Sequence, residues 1–201
     1  MTRHATHTQH HTQSEEKRMN TNHASRRFRA AALVCAATLA AATLGGCAVV
    51  DRSAAVPASK GEAWTVLPIA NHTETPQAGQ RAGSIAQSLL RTYGYQNVVP
   101  YPGGGDDETL FDPARPDAQQ NALNWARQQN IHYALTGAVN EWRYKVGVDG
   151  EPAVGLTFDV IDVQTGKIVW TSTGSRTGWS RDAVSGVAQK LERDLLAPLG
   201  R

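Results

Sequence analysis

The sequence predicts an α/β fold of the α+β type, a single domain with a mixed sheet and about three helices packed on it. Short apolar runs alternate with helix-period segments in the first part of residues 63–201. A long stretch follows in which apolar and polar side chains alternate with a period of two residues. It predicts a C-terminal antiparallel meander of three strands. A last stripe of apolar residues at helical spacing completes the predicted order β-α-β-α-β-β-β-α.

The first four elements are predicted to alternate between strand and helix. Trp64–Asn71 is a mostly apolar run, which is typical of a buried strand. Thr75, with proline in the next position, predicts a helix start, and Gly94 ends that helix. Residues 97–102 predict a second short strand that prolines weaken. Residues 118–129 carry a less apolar helical stripe, which predicts the second helix.

The last four elements follow from alternation and turn signals. Apolar and charged side chains alternate towards the end of residues 133–148, which is the period of a strand. Asp149 and the glycine after it predict a hairpin turn, because both tolerate positive φ. Residues 156–160 and 168–170 continue the meander. The last helix is predicted to begin near Ser180, its cap, and to stop before the final proline.

The first 46 residues have the order of an upstream extension followed by a signal peptide. Arginines precede an uncharged alanine-rich run, residues 31–44, which is shorter than the about 20 residues of a membrane-spanning helix. "LGGC" resembles the lipobox of bacterial lipoproteins, which implies transfer of a diacylglyceryl group to the Cys47 sulfur, cleavage before Cys47 and acylation of the amine that cleavage frees. Ala48 in place of aspartate favours outer-membrane sorting by the same resemblance. An ordinary signal peptide is the alternative, and Met19 is favoured over the first methionine as the start.

Removal of the leader reverses the net charge. Residues 47–201 hold 14 Lys and Arg against 16 Asp and Glu, a net charge of −2, whereas the whole chain is +2. The basic excess therefore gives no reason to expect a nucleic-acid partner. Cys47 is the only cysteine that remains, so no internal disulfide is expected. Residues 51–62 are small and polar, which makes 47–62 a predicted lipidated tether before the domain at 63–201.

Three stretches resemble the PelC family, outer-membrane lipoproteins of Pel exopolysaccharide export. They read "VLPIANHTETPQAGQRA", "ALTGAVNEWRYKVGVDGEPAVG" and "DVQTGKIVWTSTGSRTGW". The resemblance covers Trp64 to Leu195. Two shorter motifs within it also occur in curli-secretion-like and peptidoglycan-synthase-activator lipoproteins, so these support only the fold. The resemblance implies a ring of twelve subunits at the periplasmic face of the outer membrane, working with the channel protein PelB.

The resemblance also implies a cationic, partly deacetylated polymer as the partner. Asp149 and Glu151 lie at the predicted hairpin tip, and ring symmetry would turn each into a circle of negative charge. Such a circle acts only on a chain that passes within the Debye length of about 8 Å. The alternative is that Asp149 only forms the turn and does not contact the polymer, since Asp-Gly is preferred in turns for backbone reasons alone. A second acidic cluster, residues 106–108, is predicted to be a solvated loop.

Trp179 lies outside any strand or helix pattern, next to the predicted helix cap. Because tryptophan favours the membrane interface, we expect Trp179 to rest on outer-membrane lipid; a buried packing role is the alternative. Arg143, Arg176 and Arg181 could pair with carboxylates of the next subunit in a head-to-tail interface, or be ordinary surface arginines.

No catalytic constellation is visible in the sequence. The glycine run at 103–105 lacks the lysine and hydroxyl of a phosphate loop, and His72 and His132 have no partner at metal-ligand spacing. We therefore expect no enzyme, no metal and no cofactor beyond the covalent lipid. The favoured function is a guide for Pel export in biofilm formation. One alternative is a monomeric outer-membrane lipoprotein that activates a peptidoglycan synthase, for which the dozen-residue linker is short. Another is a polysaccharide hydrolase with paired carboxylates.

Overall fold

The computed structural model describes residues 48–54, 59–103, 116–147 and 150–201. Within them six strands form one sheet: β1 (Ala48–Arg52), β2 (Trp64–Asn71), β3 (Val98–Pro100), β4 (Tyr133–Tyr144), β5 (Pro152–Asp162) and β6 (Lys167–Thr177). The helices are α1 (Ala78–Thr92), α2 (Pro116–Gln128) and α3 (Val184–Leu196), and a 3-10 turn, Ala197–Gly200, follows α3. The predicted mixed α/β class is confirmed.

The strands lie across the sheet in the order β1-β6-β5-β4-β2-β3. β2 pairs in parallel with β3 and with β4, and these two connections run through α1 and α2, as parallel pairing requires. β4, β5 and β6 pair antiparallel and form the predicted meander. β1 adds a further antiparallel strand at the edge of β6.

Two clusters of buried side chains lie on opposite faces of the sheet. The larger one joins Trp64 on β2 with apolar residues of α1 and α3. The smaller one joins Leu67 with Ala122 and Ala126 of α2. Ala134 and Leu135 are consecutive in β4 yet belong to different clusters, because neighbouring side chains of a strand point to opposite faces.

The predicted tether over 47–62 is in part a strand, which is a correction to the sequence-based expectation. β1 pairs with β6 over five residues, from Ala48 opposite Arg176 to Arg52 opposite Ser172. The N–H of Ser53 extends the pairing by donating to the Thr171 carbonyl oxygen at 2.9 Å. The sequence does not show this strand, because its partner is backbone on β6 and its own side chains are mostly exposed. Only the residues after Ser53 can act as a linker.

The sequence predicts the start of two helices several residues before the structure has it: α1 at Thr75 and α3 near Ser180. α1 begins at Ala78 after Gln77, which adopts a left-handed φ of 58°. The Thr75 hydroxyl donates instead to the Trp142 carbonyl oxygen, so it ties this loop to β4 rather than capping the helix. α3 begins at Val184 after an extended Ala183.

β4 ends at Tyr144, before the predicted end at Val148. A bulge between Val139 and Glu141 shifts its pairing with β5. Trp142 remains in the core after the bulge, whereas Tyr144 is exposed. The alternation in the sequence is therefore correct for Trp142 but continues past the end of the strand.

Candidate functional site

Three segments that carry predicted site residues meet at one end of the sheet. Ala48, the first residue of β1, lies opposite Arg176 near the end of β6. At the base of the β4–β5 hairpin, Tyr144 lies opposite Pro152. The loop between β6 and α3 leaves the sheet beside this base, because Thr177 pairs with the residue after Pro152. We call this region the anchor end; it comprises Ala48, residues 144–147, residues 150–152 and residues 177–183.

Cys47 and Asp149 lie outside the described residues, as do the leader and the acidic cluster at 106–108. Cys47 precedes the first residue of β1, and Asp149 precedes Gly150, whose φ of 47° is the left-handed conformation of a turn.

Glu151 lies at the hairpin where the sequence places it. Its carbonyl oxygen accepts a hydrogen bond of 2.7 Å from the Lys145 N–H, which closes the hairpin above the Tyr144–Pro152 pair. The residue is half-buried. The hairpin therefore holds the Glu151 backbone in a fixed position at the end of the meander.

Trp179 is 59% exposed, so within one subunit its indole is not part of the core. Two hydrogen bonds with Asp182 fix its backbone: the Trp179 N–H donates to Oδ2 at 3.1 Å, and the Asp182 N–H donates to the Trp179 carbonyl oxygen at 2.8 Å. The Tyr144 hydroxyl donates to the Asp182 carbonyl oxygen at 3.3 Å. The Gly178 N–H donates to the Pro152 carbonyl oxygen at 2.9 Å. These contacts join the tryptophan loop to the hairpin.

Two of the three arginines considered for subunit contacts pair within the chain. Arg143 Nε lies 3.0 Å from Glu141 Oε1, and Arg176 Nη1 lies 3.1 Å from Asp194 Oδ2. The second pair connects β6 with the last turn of α3. The Arg143 guanidinium is exposed, so its pair contributes little to stability, whereas Arg176 is half-buried.

The exposed large apolar side chains of the described residues fall into two groups. Tyr144, Val146 and Trp179 lie at the anchor end. Val49, Ile168 and Val169 lie on β1 and β6.

The second group borders a sheet surface that no described helix covers; we call it the open face. It consists of exposed side chains on one face of β1 and β6, and of their neighbours on β4 and β5. A row of hydrogen bonds crosses it: Asn140 Nδ2 donates to Thr157 Oγ1 at 3.2 Å, and the Thr157 and Thr173 hydroxyls lie 2.9 Å apart. The open face is therefore polar in its centre and apolar at its border.

Glu192 on α3 is a feature that the sequence analysis missed. It is fully buried, and neither carboxyl oxygen has a hydrogen-bond partner in the described structure. Burial raises the pKa of Glu192 to about 9, so the side chain is protonated at neutral pH. The sequence does place Glu192 on the buried face of α3, because it follows the apolar residue Ala188 by four residues, which is one turn of a helix.

The described residues contain no group of three or more His, Cys, Asp or Glu side chains that could hold a metal ion. None of the helices in that same part of the chain is long and apolar enough to span a membrane.

Comparison with solved structures gives one strong likeness. The chain is 45% identical to PelC from Paraburkholderia phytofirmans, solved as a dodecamer, over 77% of this chain and 98% of that one, with a TM-score of 0.65. A single-substitution variant of that protein, also a dodecamer, matches with the same identity and TM-score over 99% of its length. The C-terminal domain of LpoB from Escherichia coli is more distant, with 21% identity over 60% of this chain and 86% of that one and a TM-score of 0.43. No protein-family model and no curated protein matches.

Proposed function

The chain belongs to the PelC family, and on that premise we propose that it is a lipid-anchored accessory protein of Pel exopolysaccharide export. It sits at the periplasmic face of the outer membrane, forms a ring of twelve subunits and guides a cationic polymer to the channel protein PelB. It performs no catalysis. One observation carries the proposal: the likeness spans nearly the whole length of a protein that was solved as a dodecamer.

The proposed anchor is a covalent lipid on Cys47. The lipobox-like residues 44–47 support it. The first residue of β1 follows Cys47 directly, and β1 pairs with β6 over five residues. Two or more acyl chains hold a protein stably at a bilayer, whereas one chain gives only marginal binding. An anchor at Cys47 would therefore hold the folded domain close to outer-membrane lipid.

The proposed polymer contacts are the carboxylates of Asp149 and Glu151. The hydrogen bond between the Lys145 N–H and the Glu151 carbonyl oxygen gives the Glu151 backbone the same position in every subunit. Repetition around a ring produces many weak sites of one charge, which concentrate a cationic chain without trapping it.

The open face is the surface that we propose for contact with the next subunit. A closed ring needs a head-to-tail interface, in which each subunit uses two different surfaces. Thr171, Thr173 and Ser175 are exposed along β6, and Val49 lies opposite Ser175. Such a surface offers hydroxyl groups for hydrogen bonds and apolar area at its border.

The test of the polymer contact is the double variant Asp149→Asn, Glu151→Gln. We expect secreted Pel to fall while protein level and outer-membrane location stay unchanged, because the amides keep the shape of the side chains and remove their charge. The matched control is Glu62→Gln, which removes a carboxylate at the opposite end of β4, beside His132. Normal export by the double variant would remove these two residues from the proposal.

A further inference from the structure

We propose that Val146, in the described part of the β4–β5 hairpin, is a second membrane contact and enters the headgroup region of the bilayer beside Trp179. The inference rests on the proposed acylation of Cys47 and goes beyond it, because it assigns a new contact residue and orients the domain on the membrane. The partner is a lipid surface.

The first argument is the length of chain between the acylated residue and the sheet. One peptide unit, about 3.8 Å between Cα atoms, separates Cys47 from Ala48. Ala48 is already paired with β6, opposite Arg176. No flexible linker therefore separates the acylated residue from the sheet. The end of the sheet that carries Ala48 must then face the lipid.

The second argument is the set of side chains at that end. Val146 is 99% exposed, which is the largest exposure among the large apolar residues of the described chain. Tyr144 and Trp179 are each more than half exposed, and both residue types favour the membrane interface. Single exposed apolar residues are common on protein surfaces, but three at one end beside a lipid anchor form a surface that suits a bilayer.

The charge at this end is mixed, because the Glu151 and Asp182 carboxylates lie there together with two cationic side chains. Lys145 is exposed next to Val146, and Arg181 is exposed two residues after Trp179. An ammonium and a guanidinium at these positions can reach lipid phosphates while the apolar side chains between them enter the headgroup region.

The third argument is that the hairpin and the tryptophan loop are held together. Tyr144 hydrogen-bonds to the Asp182 carbonyl oxygen, and Gly178 hydrogen-bonds to that of Pro152. A bilayer that contacts Trp179 therefore meets the hairpin in a defined position. Glu151 then lies close to the membrane, at the end of the ring from which a polymer would leave for the channel.

The experiment uses the full lipidated protein, reconstituted into vesicles of phosphatidylethanolamine and phosphatidylglycerol. The Val146→Cys variant is labelled with the fluorophore NBD, which reacts at this position because acylation blocks the thiol of Cys47 and Cys35 leaves with the leader. Lipids with nitroxides on their acyl chains quench a fluorophore that lies in the bilayer. We expect the label at position 146 to lose most of its emission.

The matched control is Ile168→Cys, an equally simple replacement of an exposed aliphatic residue. Position 168 lies at the start of β6 and the anchor end at its other end, about 30 Å away for nine residues of strand. We expect almost no quenching at this position. Equal, weak quenching at both positions in protein that floats with the vesicles would overturn the hairpin contact and leave the anchor standing. Failure to float, or labelling of the parent protein at Cys47, would overturn the anchor and the inference together.

Discussion

Glu192 places a carboxyl group among apolar side chains of the larger core cluster. An ionised carboxylate without a partner is far more costly to bury than a neutral one, so the folded state retains the proton. The pKa of about 9 in the folded protein compares with about 4.3 for a solvated glutamate. Between these two values the folded chain binds one proton more than the unfolded chain. The free energy of unfolding therefore decreases as pH rises through this interval, by up to about 1.4 kcal/mol per pH unit from this group.

The variant Glu192→Gln tests this dependence. An amide keeps the size and polarity of the protonated carboxyl but does not ionise, so we expect the variant to lose less stability than the parent as the pH rises from about 5 to about 9. Urea unfolding at several pH values measures the effect. Glu62→Gln, which changes a partly exposed carboxylate, is the control and should keep the parent's slope. Parallel curves for the parent and Glu192→Gln would show that Glu192 is ionised in the folded protein.

Single residues show what the sequence could and could not predict. The position of Glu151 followed from a hairpin turn, and the structure has it there. Trp179 is outside any strand or helix, as predicted, but it lies four residues before the cap residue Ala183 and not next to the helix cap. Glu192 was missed because a charged residue is normally assigned to the solvent side of a helix, even when the helical period places it on the buried side. The function of Cys47, Asp149, Glu151 and Trp179 stays a prediction.

At the scale of elements, the sequence was most informative where a segment carries its own period. β4, β5, β6 and α3 each carry a periodic pattern of apolar residues, and all four were predicted. β1 was not, since it contributes a short run at the edge of the sheet and depends on β6 for its hydrogen bonds. Its existence is decided by a partner that lies more than a hundred residues away in the chain.

Gly174 is the residue that lets β1 approach β6. A Cβ atom at this position would overlap the Val49 carbonyl oxygen and lie 3.2 Å from side-chain atoms of Leu195 and Val50. We expect Gly174→Ala to push β1 away from the sheet at a cost of about 1–3 kcal/mol, the usual range for overpacking. Hydrogen exchange of residues 48–52 should become faster, and trypsin should cleave after Arg52 more readily.

The control for this variant is Gly186→Ala. Nothing lies within 4 Å of a Cβ atom at Gly186, which is in α3, so alanine should leave β1 protected and raise helix stability by about 0.5–1 kcal/mol. Equal protection of residues 48–52 in Gly174→Ala and in the parent would mean that β1 moves to accept the methyl group. The position of the lipid anchor relative to the sheet would then be adjustable.

At the scale of the whole molecule, the structure assigns the exposed apolar groups to two separate places. One lies at the anchor end and the other borders the open face. The sequence could not show this division, because it depends on the register between β1 and β6 and on the order of strands in the sheet. Two surfaces of different composition suit two different partners, a bilayer at the anchor end and a neighbouring subunit on the open face.

Thr173 is the residue at which the subunit contact can be tested. It lies on the open face, its hydroxyl is 2.9 Å from that of Thr157, and its side chain is exposed. Thr173→Arg would place a long charged side chain in an interface that buries this surface, and an unpaired buried charge is strongly unfavourable. We expect the lipidated protein in detergent to change from a large oligomer to small species, as measured by light scattering, while its thermal unfolding changes little.

The control for Thr173→Arg is Gln164→Arg, which adds the same charge in the exposed turn between β5 and β6. This variant should keep the parent's mass, because the turn lies at the tip of the meander and not on the open face. A large oligomer for Thr173→Arg would show that subunits meet through another surface. A strictly monomeric parent would count against the ring itself and favour the monomeric activator of a peptidoglycan synthase, since a circle of charge from Asp149 and Glu151 requires many copies around one path.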